Sequence, residues 1–427
     1  MIRFTRIFLL VVAAVLVVES AWSQGISMFT PDYCYKKAIA TYPLVQQAEL
    51  YNKIHDLQLN TLKAGNLPQV TLNGQASYQS DVTELPIHLP NVSIPTIDHD
   101  SYKATLDFSQ VIYGGGASLG QAGVEDLNLK LNQQNLETEL YKLKERINQY
   151  FVTILLIDES IKLNNLLQED LSSKLSRLES GVKNGITLQS NADIIKAEII
   201  KTEQRITESR FNRLAVIKML SELISDPIPA DAEFELPDPV VNTSVFLNNR
   251  PEYRIFDLQL ARFDSQKKLV NTRLKPRIAG FATLGYGRPG LNMLLNEFDT
   301  YYLFGAKLTW NLWNWNQTRN DRNVLDLQAS VTRTQKEAYD KNVAVAVQQY
   351  IADISKYEEL ILADRRIIEL REGITKSSSS QLDNGVITST DYLQELNAEM
   401  QAKLNLATHL VQLKQARINY LAATGNL

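Results

Sequence analysis

Asp98-His99-Asp100 places three potential metal ligands side by side. A metal centre needs ligands that converge from positions held by a rigid scaffold. These three instead follow Pro90 and Pro95 in a polar stretch, so a solvated loop is expected and no metal site is read there. The other histidines, His55, His88 and His409, stand far apart, and none has the i, i+4 partner of a helical zinc site. Gly114-Gly115-Gly116 is not followed by the Lys-Ser/Thr of a phosphate loop, so it reads as a tight strand-to-helix corner. Cys34 is the single cysteine, which excludes an intramolecular disulfide and leaves a small buried residue on the first helix as its expected role. No cluster of catalytic polar groups is visible, so neither an enzyme nor a cofactor is expected. With 44 basic and 48 acidic residues, a net charge of −4 and no Lys/Arg cluster, nucleic acid is not an expected partner. The carboxylate with the most definite local setting is Asp391. Thr388-Ser389-Thr390-Asp391 has the form of a capping box, and acids favour the first turn of a helix.

The elements that position these residues emerge from the ends inward. Arg3 and Arg6, the apolar run 7–18 and Ala21-Trp22-Ser23 have the layout of a secretory signal, so 1–23 is expected to be removed, with Gln24 first in the mature chain. A membrane anchor needs about 20 apolar residues, and this run has 12. No later segment is apolar enough to span a bilayer as a helix, so any insertion must use β-strands.

An internal duplication organises the remainder. Pro43 and Pro251, and likewise Pro68 and Pro276, are 208 residues apart; Gln149-Tyr150 and Gln349-Tyr350, and Asn184-Gly185 and Asn384-Gly385, are 200 apart. The two copies therefore differ mainly in the middle hairpin. The boundaries read as a first repeat over 24–226, a Pro-rich linker over 227–247 and a second repeat over 248–427. Proline breaks helix interiors, and 114–226 and 290–427 contain none. Apolar residues recur there at helical spacing, as in Leu167, Leu171, Leu175 and Leu178. Long helices are expected over 116–183 and 318–382, each about 100 Å at 1.5 Å per residue. Shorter ones are expected over 32–64, 187–223, 248–274 and 388–422. Asn-Gly at 184–185 and 384–385 supplies the turn signals between them.

Each repeat also holds a strand pair, 69–80 with 102–113 and 277–287 with 300–312, in which polar and apolar residues alternate. Phe281 and Leu303 interrupt the polar side. Period two over roughly ten residues per strand is the pattern of a transmembrane β-barrel. Tyr78, Tyr102, Tyr286, Tyr301, Tyr302, Trp310, Trp313 and Trp315 lie near strand ends, where aromatic girdles form at the lipid headgroups. Four strands cannot close a barrel and an open edge cannot face lipid, so the chain is expected to assemble through its edges. Three copies give twelve strands and two give eight. The rival reading, a periplasmic coiled-coil scaffold, accounts for the helices but leaves the alternating strands unexplained.

In this order and spacing the chain resembles the TolC outer-membrane efflux family. The resemblance rests on the duplicated helix, strand pair, long helix and returning helix. It rests also on the corners Val111-Ile112-Tyr113-Gly114-Gly115-Gly116 and Asn311-Leu312-Trp313-Asn314-Trp315-Asn316, the turns at Gly185 and Gly385, and Arg250-Pro251-Glu252 at the opening of the second repeat. It implies a mixed α and β membrane protein: a homotrimer with a 12-stranded barrel in outer-membrane lipid, continued by a periplasmic α-helical barrel. Such a channel passively conducts substrates that an inner-membrane pump delivers through a periplasmic adaptor, in efflux or type I secretion. By the same resemblance Asn184, Gly185, Ile186, Asn384, Gly385 and Val386 meet the adaptor, and Asp391 lines the periplasmic entrance. The sequence departs from the family pattern at Gln394, where a second entrance aspartate is usual, at Asn191, the first-repeat counterpart of Asp391, at Ile387 in place of an arginine, and at Trp315-Asn316 in place of glycines.

Overall fold

The computed structural model describes residues 28–82, 98–241 and 249–427. The expected signal 1–23, His88 with most of the 81–100 loop, and 242–248 around the end of the linker lie outside the described residues.

Thr30 opens the first helix, α1 (Pro31–Thr41), by accepting a bond from the Tyr33 amide; Pro31 takes a first-turn position where no amide donor is needed. The helix stops at Tyr42, which is extended at φ −65° and ψ 129° because it precedes Pro43. A 3-10 turn (Pro43–Val45) then leads into α2 (Gln46–Ala64). The single helix expected over 32–64 is thus corrected to two, broken by proline. Four further helices fall within two residues of the expected bounds: α3 (Ala117–Lys183), α4 (Gln189–Ile224), α6 (Gln317–Asp383) and α7 (Ser389–Thr424). The long pair have 67 residues each and the returning pair 36 each, at an offset of 200. The helix expected over 248–274 is shorter. α5 (Glu252–Asn271) begins after Pro251 and passes into a 3-10 turn, Thr272–Leu274. Among the described residues no helix is long and apolar enough to cross a membrane.

Two compact units result. The helical unit comprises the described parts of Met1–Val45 together with Thr138–Arg250 and Asp340–Leu427; the sheet unit comprises Gln46–Glu137 and Pro251–Tyr339. The helical unit has two apolar clusters. One gathers Cys34, Ile147, Phe151, Ile217 and Leu220 around a short parallel pair of strands, β1 (Met28–Phe29) and β4 (Glu233–Phe234). Phe234 is stacked on Phe29 with ring centres 5.7 Å apart and takes the edge of Phe151 at 5.4 Å. Buried here, the Cys34 thiol is pushed up to about 12, so it stays protonated and unreactive. The second cluster, Leu167, Leu171, Leu178, Ile195, Tyr392 and Leu396, lies toward the Asn-Gly turns.

The sheet unit holds β2 (Gln69–Tyr78), β3 (Asp100–Tyr113), β5 (Arg277–Arg288) and β6 (Asp299–Thr309) in an antiparallel sheet ordered β2-β3-β5-β6. β3 and β5 pair at the centre of the sheet, where Leu106 faces Leu284. β6 stops at Thr309, three residues before the expected end, because its last partner Arg277 follows Pro276, which has no amide to continue the ladder. Beside the sheet, Lys267 of α5 pairs with Asp326 of α6 at 2.8 Å, and Lys336 of α6 pairs with Asp257 of α5 at 2.9 Å.

Candidate functional site

The two Asn-Gly turns are built alike. Gly185 and Gly385 are left-handed at φ +69° and +70°, and no atom lies within 4 Å of where a Cβ would sit. At each turn the glycine amide bonds back three residues and the next amide five: Gly185 to Val182 at 3.0 Å and Ile186 to Gly181 at 2.9 Å, then Gly385 to Leu382 at 3.0 Å and Val386 to Gln381 at 2.9 Å. This Schellman closure satisfies the last helical carbonyls. It leaves Ile186 and Val386 projecting, 72% and 70% exposed, beside the exposed amides Asn184 and Asn384.

Past the second turn, Thr388 caps α7 and Asp391 completes the box. The Thr388 hydroxyl accepts from the Asp391 amide, while the carboxylate accepts from the Thr388 hydroxyl at 2.7 Å and the Thr388 amide at 3.0 Å. These bonds, the hydroxyl's first, hold the Asp391 carboxyl below its ordinary range. Asn191 occupies the corresponding place in α4 and does something different. Its amide donates to Thr187 Oγ1 at 3.2 Å, and its carbonyl accepts from the Ser389 amide at 3.1 Å, so it helps cap the opposite hairpin. Gln394 lies one turn beyond Asp391 and is exposed; Ile387 is half-buried.

Between the hairpins stands a cluster that the sequence reading missed. Lys174, whose side chain is 5% exposed, donates to Asp383 at 2.8 Å and to Ser379 Oγ at 2.7 Å, and its ammonium lies 5.2 Å from the centre of the Tyr392 ring. Arg177 reaches the other oxygen of Asp383 at 3.4 Å. One signal was available: Lys174 is three residues after Leu171 and four before Leu178, so a lysine sits within the leucine stripe.

In the sheet unit the register sorts the strands into two faces. Val70, Leu72, Ala76 and Tyr78 of β2 share one face with Tyr102, Leu106 and Phe108 of β3, Leu284 and Tyr286 of β5, and Tyr302, Phe304 and Leu308 of β6. This apolar face is open within the chain, with Leu72 77% and Phe304 75% exposed. The other face carries Thr71, Asn73, Thr105, Asp107 and Thr283; Asp107 accepts from Asn73 at 2.7 Å, Thr105 at 2.9 Å and Thr283 at 2.5 Å, which ties three strands together. Tyr301 is on this polar face, opposite Gly285, so it is removed from the expected girdle: neighbours in a strand point to opposite sides, and only Tyr302 is on the apolar one. The ring of Tyr301 covers Gly285 and that of Phe281 covers Gly305, in the space a Cβ would take. That accounts for Phe281 on a polar face, since an aromatic ring laid over a cross-strand glycine replaces its missing side chain. Trp310 donates to the Leu274 carbonyl at 3.0 Å, and Trp313 meets Trp315 edge-on at 5.8 Å beyond the end of β6.

Asp98-His99-Asp100 is dispersed by its partners. Both aspartates pair with Arg288, at 3.4 and 2.5 Å, while His99 bonds the Gln79 carbonyl at 2.9 Å and stacks on Tyr78.

Comparison with known proteins adds three findings. The family model for outer membrane efflux proteins matches residues 243–426. No curated protein matches by sequence. Solved structures of similar fold include the outer-membrane channel OprN (TM-score 0.69, 13% identity, 93% of this chain and 90% of that one). They include also CusC (0.68, 13%, 92% and 91%) and the outer membrane protein VceC of Vibrio cholerae (0.68, 12%, 92% and 96%). At such identities the likeness is one of fold.

Proposed function

We propose that this chain, which carries the sequence pattern of the outer membrane efflux protein family over 243–426, is an outer-membrane exit duct that passively conducts solutes delivered from the inner membrane. The observation that carries the reading is the four-stranded sheet. One face is apolar and open, the other is polar and cross-bonded, and each edge strand, β2 and β6, has no partner on its outer side among the described residues. Lipid solvates the first face and water the second. Open edges are forbidden in lipid, so the edges pair between copies, and three chains close a twelve-stranded barrel. Trp310, Trp313 and Tyr286 then stand at the membrane interface, while Tyr302 lies at mid-depth in the row of Leu72 and Leu284.

In this reading most of each chain lies in the periplasm. The projecting Ile186 and Val386, with Asn184, Gly185, Asn384 and Gly385, offer an adaptor protein paired small and apolar turns, and Asp391 with Gln394 and Asn191 surrounds the entrance on the threefold axis. An inner-membrane pump supplies the energy. Light scattering of detergent-extracted protein, corrected for bound detergent, tests the assembly. Three chains per particle are expected, and one chain per particle would refute the shared barrel.

A further inference from the structure

The charged residues of the polar sheet face are unevenly distributed. By register they are Lys103 and Asp107 on β3, Arg277 on β5, and Asp299 and Lys307 on β6. Lys103 and Asp299 share one row, each opposite Gly287, so at two strand spacings they are about 10 Å apart and offset each other. Asp107 sits at mid-sheet, in the row of Thr71 and Thr283. Arg277 and Lys307 lie at the other end, where β5 leaves the 3-10 turn and β6 runs toward α6. They are diagonal neighbours, since Arg277 faces Thr309 and Lys307 faces Ala279.

Among the described residues this pair has no counter-charge. Both side chains are exposed, and among the described residues neither makes an ion pair or hydrogen bond. Around them the same face carries Ala279, Val111, Phe281 and Ser109. Along and across the strands Asp107 is about 16 Å or more from either cation, beyond the Debye length of about 8 Å at physiological salt. Two like charges at diagonal positions cost the sheet stability, and no contact among the described residues offsets that cost.

We propose that Arg277 and Lys307 form a cationic belt at the helix-side end of the barrel wall that favours the passage of anionic solutes. The proposal rests on the duct reading above, under which the polar face lines water and three chains bring six such cations to one level. Rings of charged side chains set ion preference in pores, basic rings favouring anions. The substrate class indicated at this level is acidic: organic anions rather than cationic compounds.

The test uses the full chain in planar bilayers under a KCl gradient, on an Asp391→Asn background so that the entrance carboxylates do not mask the barrel. Replacing Arg277 and Lys307 together by Gln is expected to raise the cation-to-anion permeability ratio about twofold or more in dilute salt, and to have little effect near 1 M, where the Debye length is about 3 Å. Pyranine, a trisulfonated anion, added on the barrel side should reduce current in the parent and much less in the double variant. Lys103→Gln, at the compensated rim, should change the ratio less than either belt substitution. A conducting parent whose belt variants keep its permeability ratio and its pyranine block would overturn the belt and leave the duct standing. A parent that inserts as a trimer and conducts no ion would overturn both.

Discussion

Gly115 and Gly116 turn the chain from β3 into α3 with φ +66° and +83°, and the corner from β6 into α6 is made by Trp315 and Asn316 at φ +50° and +64°. A side chain in the left-handed region costs about 1–2 kcal/mol per residue, less for asparagine. The two corners tolerate different residues because the space differs: Gly115 is buried, whereas Trp315 is 83% exposed. A Cβ on Gly115 would meet Lys275 Cβ at 3.0 Å and the Thr272 carbonyl at 3.3 Å; on Gly116 it would meet only the flexible end of Lys275 at 3.9 Å. Gly116→Asn should therefore cost less than about 1 kcal/mol, and Gly115→Asn about 2 kcal/mol or more. Thermal unfolding of the two variants checks this. In the proposed duct, Asp391 faces two opposed influences. Carboxylates gathered around a threefold axis raise one another's pKa, whereas the Thr388 bonds lower it within each chain. A depressed pKa means that the capping contribution is present above the unfolded carboxyl range, near pH 4, and is lost as pH falls through the folded value. Asp391→Asn keeps size and some capping, so it should lower cation preference in bilayer recordings without loss of folded protein. In the unsubstituted chain that preference should be flat from pH 7.5 to 5. Half-loss by pH 6 would show that repulsion in the ring outweighs the cap.

The helices show what a sequence discloses and what it withholds. The bounds of α3, α4, α6 and α7 were legible because apolar spacing, absence of proline and Asn-Gly turns all agreed over tens of residues. The break at Pro43 was also legible in principle, since a proline interior to an expected helix stops it. The Lys174–Asp383 contact was not, because it joins residues 209 apart through packing between hairpins, and sequence periodicity reports only the face on which a residue lies. Burial of a cation makes this link asymmetric. Removing one partner of a buried pair leaves the other uncompensated, whereas an apolar residue of similar volume is often neutral or stabilising. Asp383→Ala should thus destabilise the helical unit by about 2 kcal/mol or more, and Lys174→Met by less than about 1 kcal/mol, or should stabilise it. Denaturant melts monitored by circular dichroism distinguish the two. Equal losses would mean that Ser379 and Tyr392, rather than the carboxylate, hold the lysine.

For the whole molecule, the strand alternation foretold two faces, but only the register could say which aromatic belongs to which; hence Tyr301 was misplaced and Phe281 unexplained until Gly285 and Gly305 were seen beneath them. The assignment of lipid to one face and water to the other has a direct test in two adjacent residues of β2. Leu72 lies in the row of Leu106, Leu284 and Tyr302, and Thr71 in the row of Asp107 and Thr283, so they share a depth and differ in face. An arginine on a lipid-facing strand position near the bilayer midplane costs about 2–4 kcal/mol, while positions facing the lumen tolerate charge. Leu72→Arg should therefore sharply reduce the yield of trimer from the outer membrane and lower its melting temperature. Thr71→Arg should assemble at close to the unsubstituted yield, helped by the Asp107 carboxylate on the neighbouring strand. If the two variants assembled equally well, water would bathe both faces and the sheet would not be a membrane wall. If both failed, the polar face would be packed rather than open, and a lumen along it would be excluded.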